Sequence, residues 1–333
     1  MERRPLGRTG IDICPVGFGC GAVGGLMVRG DRREQVRAVA RALEAGIDYF
    51  DTAPGYGDGA SEENLGRVLR ELGVRDRVVV ATKVRLASAD LAAPGDAVRR
   101  SVESSLRRLG VDHVELVHLH NAIGARDPGG VAVPPRAALE EVAEGLRRAV
   151  EDGLTGHVGF TAIGETGAIR QVAAHPAYET AQAYLNLLDP SGIRPGAAGG
   201  EQDFDGFITD AAGHGVGVIA IRVYAAGALT AGPERHPVAW LPQQPLIPGS
   251  DYEGDVRRAR RLERTAADFG MESVLELGLR FALTAPGVSA ALVGLSTYEH
   301  LETAIRWAER GRLPADQFER LLELATADRG APS

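Results

Sequence analysis

Cysteine is almost missing: the chain has two, Cys14 and Cys20. Two thiols make neither a disulfide framework nor a zinc pattern, which points to a reduced, cytoplasmic setting. Positive charge is short as well. With 37 Lys and Arg against 45 Asp and Glu, the formal net charge is −8, which argues against a nucleic-acid-binding surface. Lysine is scarce beside arginine, a bias that reads as genome composition, and the scarcity makes Lys83 conspicuous. Long membrane-type apolar runs are lacking. The uncharged stretch "ICPVGFGCGAVGGLMV" (13–28) is too short and too rich in glycine to span a bilayer, so no membrane partner is expected. The flank before it, "MERRPLGRTGID", holds two acids and a turn signal, so a strand and loop fit it better than a secretory signal. No low-complexity tract or linker divides the 333 residues, and one domain over 1–333 is expected.

What is there alternates. "RRPLGRTGIDIC" reads as a short hairpin around "GRTG". Apolar runs follow at 15–19, 46–51, 77–83, 114–120, 156–161, 179–185, 215–221 and 289–294, nearly continuous as in parallel strands covered on both faces. Helical patterns lie between them. "DRREQVRAVARALEAG" (31–46) has Asp31 as its N-cap and Gly46 just past its end. "SEENLGRVLRELG" (61–73) opens with Ser61 and Asn64, a weak relative of the capping box. Two irregular pieces, 121–134 and 223–253, each follow a strand, and 312–328 reads as one more amphipathic helix. The expected fold is α/β: a (β/α)8 TIM barrel with an N-terminal β-hairpin and extra C-terminal helices.

In such a barrel, chemistry gathers where strands end. Asp51 ends the second run, Lys83 the third, His120 the fourth and Thr161 the fifth; Gln182 lies within the sixth, and Tyr56 sits just past Asp51. Any one of these has an ordinary structural reading as a cap, a solvated charge or a satisfied core group. Together they make chemical sense. A phenol titrates near 10, too high for easy proton exchange at neutrality. A neighbouring ammonium favours the phenolate, a carboxylate keeps the ammonium charged, and an imidazole orients a carbonyl oxygen. Such a group can move a proton at the oxygen of a C–O bond while hydride moves at the carbon.

These residues, in this order, resemble the aldo-keto reductase superfamily. The similarity runs from "LGRTGIDICPVGFG" to "LVGLSTYEHLETAI", through "GIDYFDTAPGYGDGASEENLG", "VVVATKV", "SLRRLGVDHVELVHLH", "AQAYLNLLD" and "GVGVIAIRVYAAGALTAG". The resemblance implies a catalytic tetrad of Asp51, Tyr56, Lys83 and His120. Tyr56 would be the general acid/base, Lys83 its pKa modulator, Asp51 the partner of Lys83, and His120 the group orienting the carbonyl. It places His118 in the barrel interior as a structural residue. It also implies an extended NADP or NAD over the barrel top. Gly19, Cys20, Gly21, Asp51, Thr161, Gln182, Ile221, Arg222, Ala225, Gly227, Leu229, Gly294, Ser296, Thr297 and His300 would bind that cofactor. No metal is expected. "GCGAVG" (19–24) formally matches the Rossmann fingerprint, but "GLMVRG" separates it from the next helix, whereas that fingerprint opens its helix directly.

The chain departs from the family's pattern on both the cofactor and substrate sides. A serine–asparagine pair that holds the carboxamide reads here Thr161 and Ala162. The nicotinamide-stacking aromatic reads Ile221, followed by Arg222, which would reach a phosphate, a substrate or a rim acid. No basic residue for a 2′-phosphate is evident, so NADP and NAD both stay open. Pocket tryptophans of many members correspond to Gly21, Arg85 and Asn121. Arg85 and Asn121 in place of flat apolar walls point to a polar or anionic substrate, such as a sugar, over an aromatic aldehyde, unless Arg85 points away to pair with a rim acid. The expected reaction is at the carbonyl or alcohol of a sugar hemiacetal, an aldehyde or a ketone. Trp240 either closes on that substrate or packs against the barrel. The pattern is nearest the branch of sugar 1-dehydrogenases and pyridoxal dehydrogenase. Two alternatives remain: a largely non-catalytic NAD(P)-binding regulatory subunit, like the β subunits of potassium channels, and a reductase of a specialised-metabolite ketone.

Overall fold

The apolar runs become the staves of a closed barrel in the computed structural model, which describes residues 1–125, 130–197, 202–232, 235–240 and 251–327. Strand β1 (Arg4–Pro5) pairs antiparallel with β2 (Asp12–Ile13) to make the expected hairpin. The barrel strands are β3 (Val16–Gly19), β4 (Tyr49–Asp51), β5 (Val79–Val84), β6 (Val114–Leu119), β7 (Thr155–Thr161), β8 (Thr180–Tyr184), β9 (Gly217–Ile221) and β10 (Val288–Gly294). They run parallel in sequence order, and β10 closes on β3.

Helices cover the outside. In order they are α1 (Leu26–Arg29), α2 (Arg32–Glu44), α3 (Ala60–Leu72), α4 (Pro94–Leu109), α5 (Pro135–Ala137) and α6 (Ala143–Glu151). Then come α7 (Thr166–Ala174), α8 (Phe207–Gly213), α9 (Tyr252–Asp268), α10 (Val274–Thr284), α11 (Tyr298–Glu309) and α12 (Ala315–Ala327). Among the described residues no helix is long and apolar enough to cross a membrane.

Local chemistry sets the helix ends that frame the site. Asp31 caps α2 by accepting from the N–H groups of Arg33 and Glu34, and Gly46, at φ 85°, turns the chain out of it. Ser61 corrects an expectation, because it builds no capping box with Asn64. The N-cap of α3 is Gly59, at φ 90°. The Ser61 hydroxyl turns inward, donating to Cys20 O at 2.9 Å and meeting Thr52 Oγ1 at 2.8 Å. It therefore ties the start of α3 to the ends of β3 and β4.

Alternation along each strand layers the barrel interior. The bottom layer is apolar: Tyr49, Ala81, Leu116, Ile219 and Ala290 pack on Leu6 and Ile13 of the hairpin region. The hairpin plugs that end closely; a Cβ at Gly7 would lie 2.1 Å from the backbone nitrogen of Gly217. Two residues further along the strands, the same inward face becomes polar. Asp51 follows Tyr49, Lys83 follows Ala81, and His118 follows Leu116. One end of the barrel is thus sealed with hydrocarbon and the other carries charge.

Candidate active site

Asp51 and Lys83, on adjacent strands, both point into the upper barrel, and both are 1% exposed. Lys83 is also the only lysine in the chain. Its Nζ donates to Asp51 Oδ1 at 2.6 Å and to the Thr52 carbonyl at 2.8 Å. The second carboxylate oxygen of Asp51 accepts from Gln182 Nε2. A buried charge is costly unless it is paired and hydrogen-bonded, and this pair meets both conditions.

Tyr56 comes to the pair on the turn before α3. Gly57, at φ 66°, and Gly59 let that turn fold back tightly. The tyrosine ring lies beside the ammonium, with Lys83 Nζ 4.8 Å from its centroid. His120 stands edge-on to it, centroids 6.0 Å apart at 88°. A Cβ at Gly21 would lie 3.6 Å from the Tyr56 ring, so the glycine leaves that ring face uncovered. The structure thus brings Asp51, Tyr56, Lys83 and His120 together.

The electrostatics refine what the sequence implied. Burial raises the Tyr56 phenol above its ordinary range, and the opposing pull of Lys83 does not cancel it. The expected depression by Lys83 is present as a pull, but the net shift is upward. Burial works against the Lys83 charge, yet Asp51 and Tyr56 outweigh it and raise its pKa. Burial pushes Asp51 up, with Lys83 pulling against it. His120 falls well below the usual imidazole value through burial, helped by Lys83, Arg85, His118 and Arg222. At neutral pH the cluster therefore holds a protonated phenol, a charged lysine and a neutral histidine. His118 is fully buried, held near 3 chiefly by burial, and its Nε2 meets Thr180 Oγ1 at 2.9 Å.

Around this cluster the rim residues sort themselves. Thr161, 3% exposed, ends β7 with a buried Oγ1 that has no hydrogen-bond partner. Ile221 ends β9 in register with Tyr184. Arg222 follows at φ 61°, and Ala225 and Gly227, at φ 47° and 95°, shape the turn after it. Beside that turn Arg235 lies 4.2 Å over the Tyr252 ring, with Nε and Nη2 buried and unpartnered. Thr297 caps α11 by accepting from the N–H of His300. His300 is exposed and lies edge-on to His236. Gly294, at the end of β10, is exposed too.

Several expectations need correcting. Asn121 offers nothing to a substrate. It is fully buried, its Oδ1 accepts from Leu86 N at 2.8 Å, and its Nδ2 donates to Leu86 O and Val131 O. Cys20 has no free backbone for a cofactor: its N–H donates to Asp51 O and its carbonyl accepts from Ser61. Gly19 serves strand packing, since a Cβ there would lie 2.8 Å from Val293 O. Leu229, 1% exposed, belongs to the apolar core. The Ser296 hydroxyl donates to Gly24 O at 2.7 Å. Trp240 is 46% exposed, with Arg29 5.5 Å over its ring and its backbone N–H donating to Ala22 O, so it does not pack against the barrel. Arg85 is exposed at the mouth, two residues past Lys83. Residues 126–129, 233–234 and 241–250 of the two irregular pieces lie outside the described residues.

Sequence reasoning passed over Arg235, Tyr184 and the Gln182–Asp51 contact. Gln182 carried a usable signal, because strand-end polar residues on the inner face of a barrel must meet one another. Arg235 had none, being a lone arginine in an aperiodic segment. The Asn121 reading yields a prediction. Asn121→Ala is expected to lower stability by about 2–4 kcal/mol, by orphaning buried backbone groups of Leu86 and Val131. Thermal unfolding measures this, and an unchanged midpoint would return Asn121 to the list of candidate pocket residues.

Comparison with known proteins agrees with this fold. Residues 15–326 match the model of the Aldo/keto reductase family. L-galactose dehydrogenase of Arabidopsis thaliana is 26% identical over 314 residues, covering 91% of this chain and 86% of that one. Pyridoxal 4-dehydrogenase of Microbacterium luteolum is 33% identical over 149 residues, 36% of this chain and 43% of that one. The crystal structure of an aldo-keto reductase from Klebsiella pneumoniae in complex with NADPH superposes with a TM-score of 0.68 at 23% identity, covering 98% of this chain and 96% of that one.

Proposed function

The chain belongs to the aldo/keto reductase family, and from that premise we propose that it is an NAD(P)-dependent oxidoreductase acting on the carbonyl or alcohol of a small polar substrate. The observation that carries the reading is the half-buried Tyr56 set beside the buried Lys83–Asp51 pair and His120. The nicotinamide, when bound, supplies a hydride to the carbonyl carbon or takes one from the alcohol carbon. Tyr56 gives its phenolic proton to the oxygen in reduction and takes a proton back in oxidation. Lys83 stabilises the phenolate left behind, and Asp51 keeps Lys83 charged and in place. Neutral His120 hydrogen-bonds the substrate oxygen. The phenol, raised above its ordinary range, is protonated at rest, which suits the reductive direction.

The residues present fit a nicotinamide dinucleotide. Thr161 Oγ1, buried and unpartnered, suits the carboxamide, and the two free nitrogens of Arg235 beside the 225–230 turn suit the diphosphate. The first turn of α11 is less suited to a 2′-phosphate. Its Tyr298 N–H donates to Glu34 Oε1 at 2.9 Å, which sets an acid against the start of the helix, although Arg37 lies over the Tyr298 ring. NADPH and NADH should therefore bind within about a hundredfold of each other, roughly 2.7 kcal/mol. Titration of the intrinsic fluorescence with each cofactor gives the two constants, and a larger gap would refute this view of α11.

Sugar hemiacetals, aldehydes and ketones are the substrates to try. The similarity to L-galactose dehydrogenase favours including a sugar hemiacetal oxidised to a lactone. Absorbance at 340 nm follows either direction. If purified protein turned over no aldehyde, ketone or sugar with either cofactor, the enzymatic reading would fail and a binding role would take its place.

A further inference from the structure

Building on the oxidoreductase reading, we infer that Arg222 is the substrate-selecting residue of this site and that it binds a carboxylate or phosphate on the carbonyl compound. The residue is unusual in three ways. It lies directly beyond β9, at the charged end of the barrel, with φ 61°, a left-handed conformation uncommon for a residue other than glycine. Strained backbone of this kind concentrates at functional sites. Its Nη1 is buried and makes no hydrogen bond. No acidic side chain among the described residues pairs with its guanidinium. An arginine on a solvated surface does not need a partner; one with a buried bare N–H does.

The direction of the side chain selects the ligand. The guanidinium leans toward β8, 6.0 Å over the Tyr184 ring. Tyr184 is itself braced by Phe204, centroids 5.6 Å apart. Arg235, beside Gly227 in the 225–230 turn, is the group suited to a dinucleotide's phosphates. Arg222 instead follows directly on β9, at the barrel end that carries Asp51, Lys83 and His120, and leans to the Tyr184 side of that mouth. Arg85, exposed beyond Lys83, adds a second positive charge felt by His120. A planar guanidinium is the side chain best matched to carboxylate and phosphate oxygens. An anionic group a few atoms from the carbonyl would dock on Arg222 and hold the carbonyl oxygen between Tyr56 and His120.

The test compares 4-carboxybenzaldehyde with 4-nitrobenzaldehyde, which are alike in shape and differ in charge. Asn tolerates the left-handed backbone, so Arg222→Asn is the main variant and Arg222→Lys, which keeps the charge, is the control. With NADPH, kcat/KM for the carboxylate should fall by roughly ten- to a hundredfold in Arg222→Asn, the range of one charge-assisted hydrogen-bonded contact. The nitro compound should barely change, and Arg222→Lys should fall between. The dissociation constant of NADPH, read separately from protein fluorescence, should stay the same. Equal losses on both aldehydes would overturn the proposal. So would a weakened NADPH with unchanged aldehyde selectivity, because Arg222 would then serve the cofactor's phosphates. Equilibrium binding of 4-carboxybenzaldehyde to the same proteins separates this proposal from its premise. Absent turnover with Arg222-dependent binding counts against the enzymatic reading alone, and Arg222-independent binding counts against the proposal itself.

Discussion

Tyr56→Phe is expected to lower turnover by about 10²–10⁴-fold, the usual worth of one positioned acid/base group. The dissociation constant of NADPH should hardly change. The variant keeps the ring, and with it the edge contact to His120 and the packing beside Lys83. It removes only the phenolic hydroxyl, the group that carries the proton given to the substrate oxygen. Lys83 is sealed in its pair with Asp51, and His120 is held neutral, so neither replaces the lost proton donor. Stopped-flow and steady-state rates with any accepted aldehyde measure the effect. A near-normal rate would show that another group delivers the proton.

Lys83→Met should be the most damaging single change to both stability and activity. Breaking a buried ion pair from one side leaves the other charge uncompensated, at a cost of about 3–5 kcal/mol. Asp51 would keep only its bond from Gln182. Its carboxyl, already raised by burial, would lose the cation that holds it down. A carboxyl raised in the folded state binds its proton more tightly there than in the unfolded chain. The variant's stability should therefore fall as pH rises out of the ordinary carboxylate range. Denaturant unfolding at several pH values tests the sign. The double variant Lys83→Met with Asp51→Asn should recover most of the stability and none of the activity, which separates the structural loss from the chemical one. If the single variant were as stable as the parent, the ion pair would not have the weight given to it here.

Much of this was legible beforehand. The barrel followed from eight nearly continuous apolar runs, because strands buried on both faces have little choice of composition. The ends of those runs pointed to Asp51, Lys83 and His120 as neighbours, while their grouping with Tyr56 as a tetrad came from the resemblance. Helix α2 was readable at both ends, since Asp31 and Gly46 act through local geometry. What was not legible depends on partners far away in sequence. Asn121 was placed at the pocket because it falls where many family members carry a tryptophan, but Leu86 and Val131 use all of its side chain. Ser61 has the look of a cap and serves instead as a tie to Cys20 and Thr52. The net direction of the Tyr56 shift is a balance between burial and one cation, and burial is a property of the assembled barrel.

The Lys83–Asp51 pair has a consequence outside catalysis. Aldehydes condense with neutral amines to give imines, and proteins that handle them are exposed to modification by what they process. This chain has one side-chain amine, and it is buried, protonated and clasped by a carboxylate. Its other strong cations are guanidinium groups, which stay charged and do not form imines under ordinary conditions. The protein's surface therefore offers no side-chain amine on which an imine could form. The chain's single side-chain amine is thus both charged and out of reach of a carbonyl in solution.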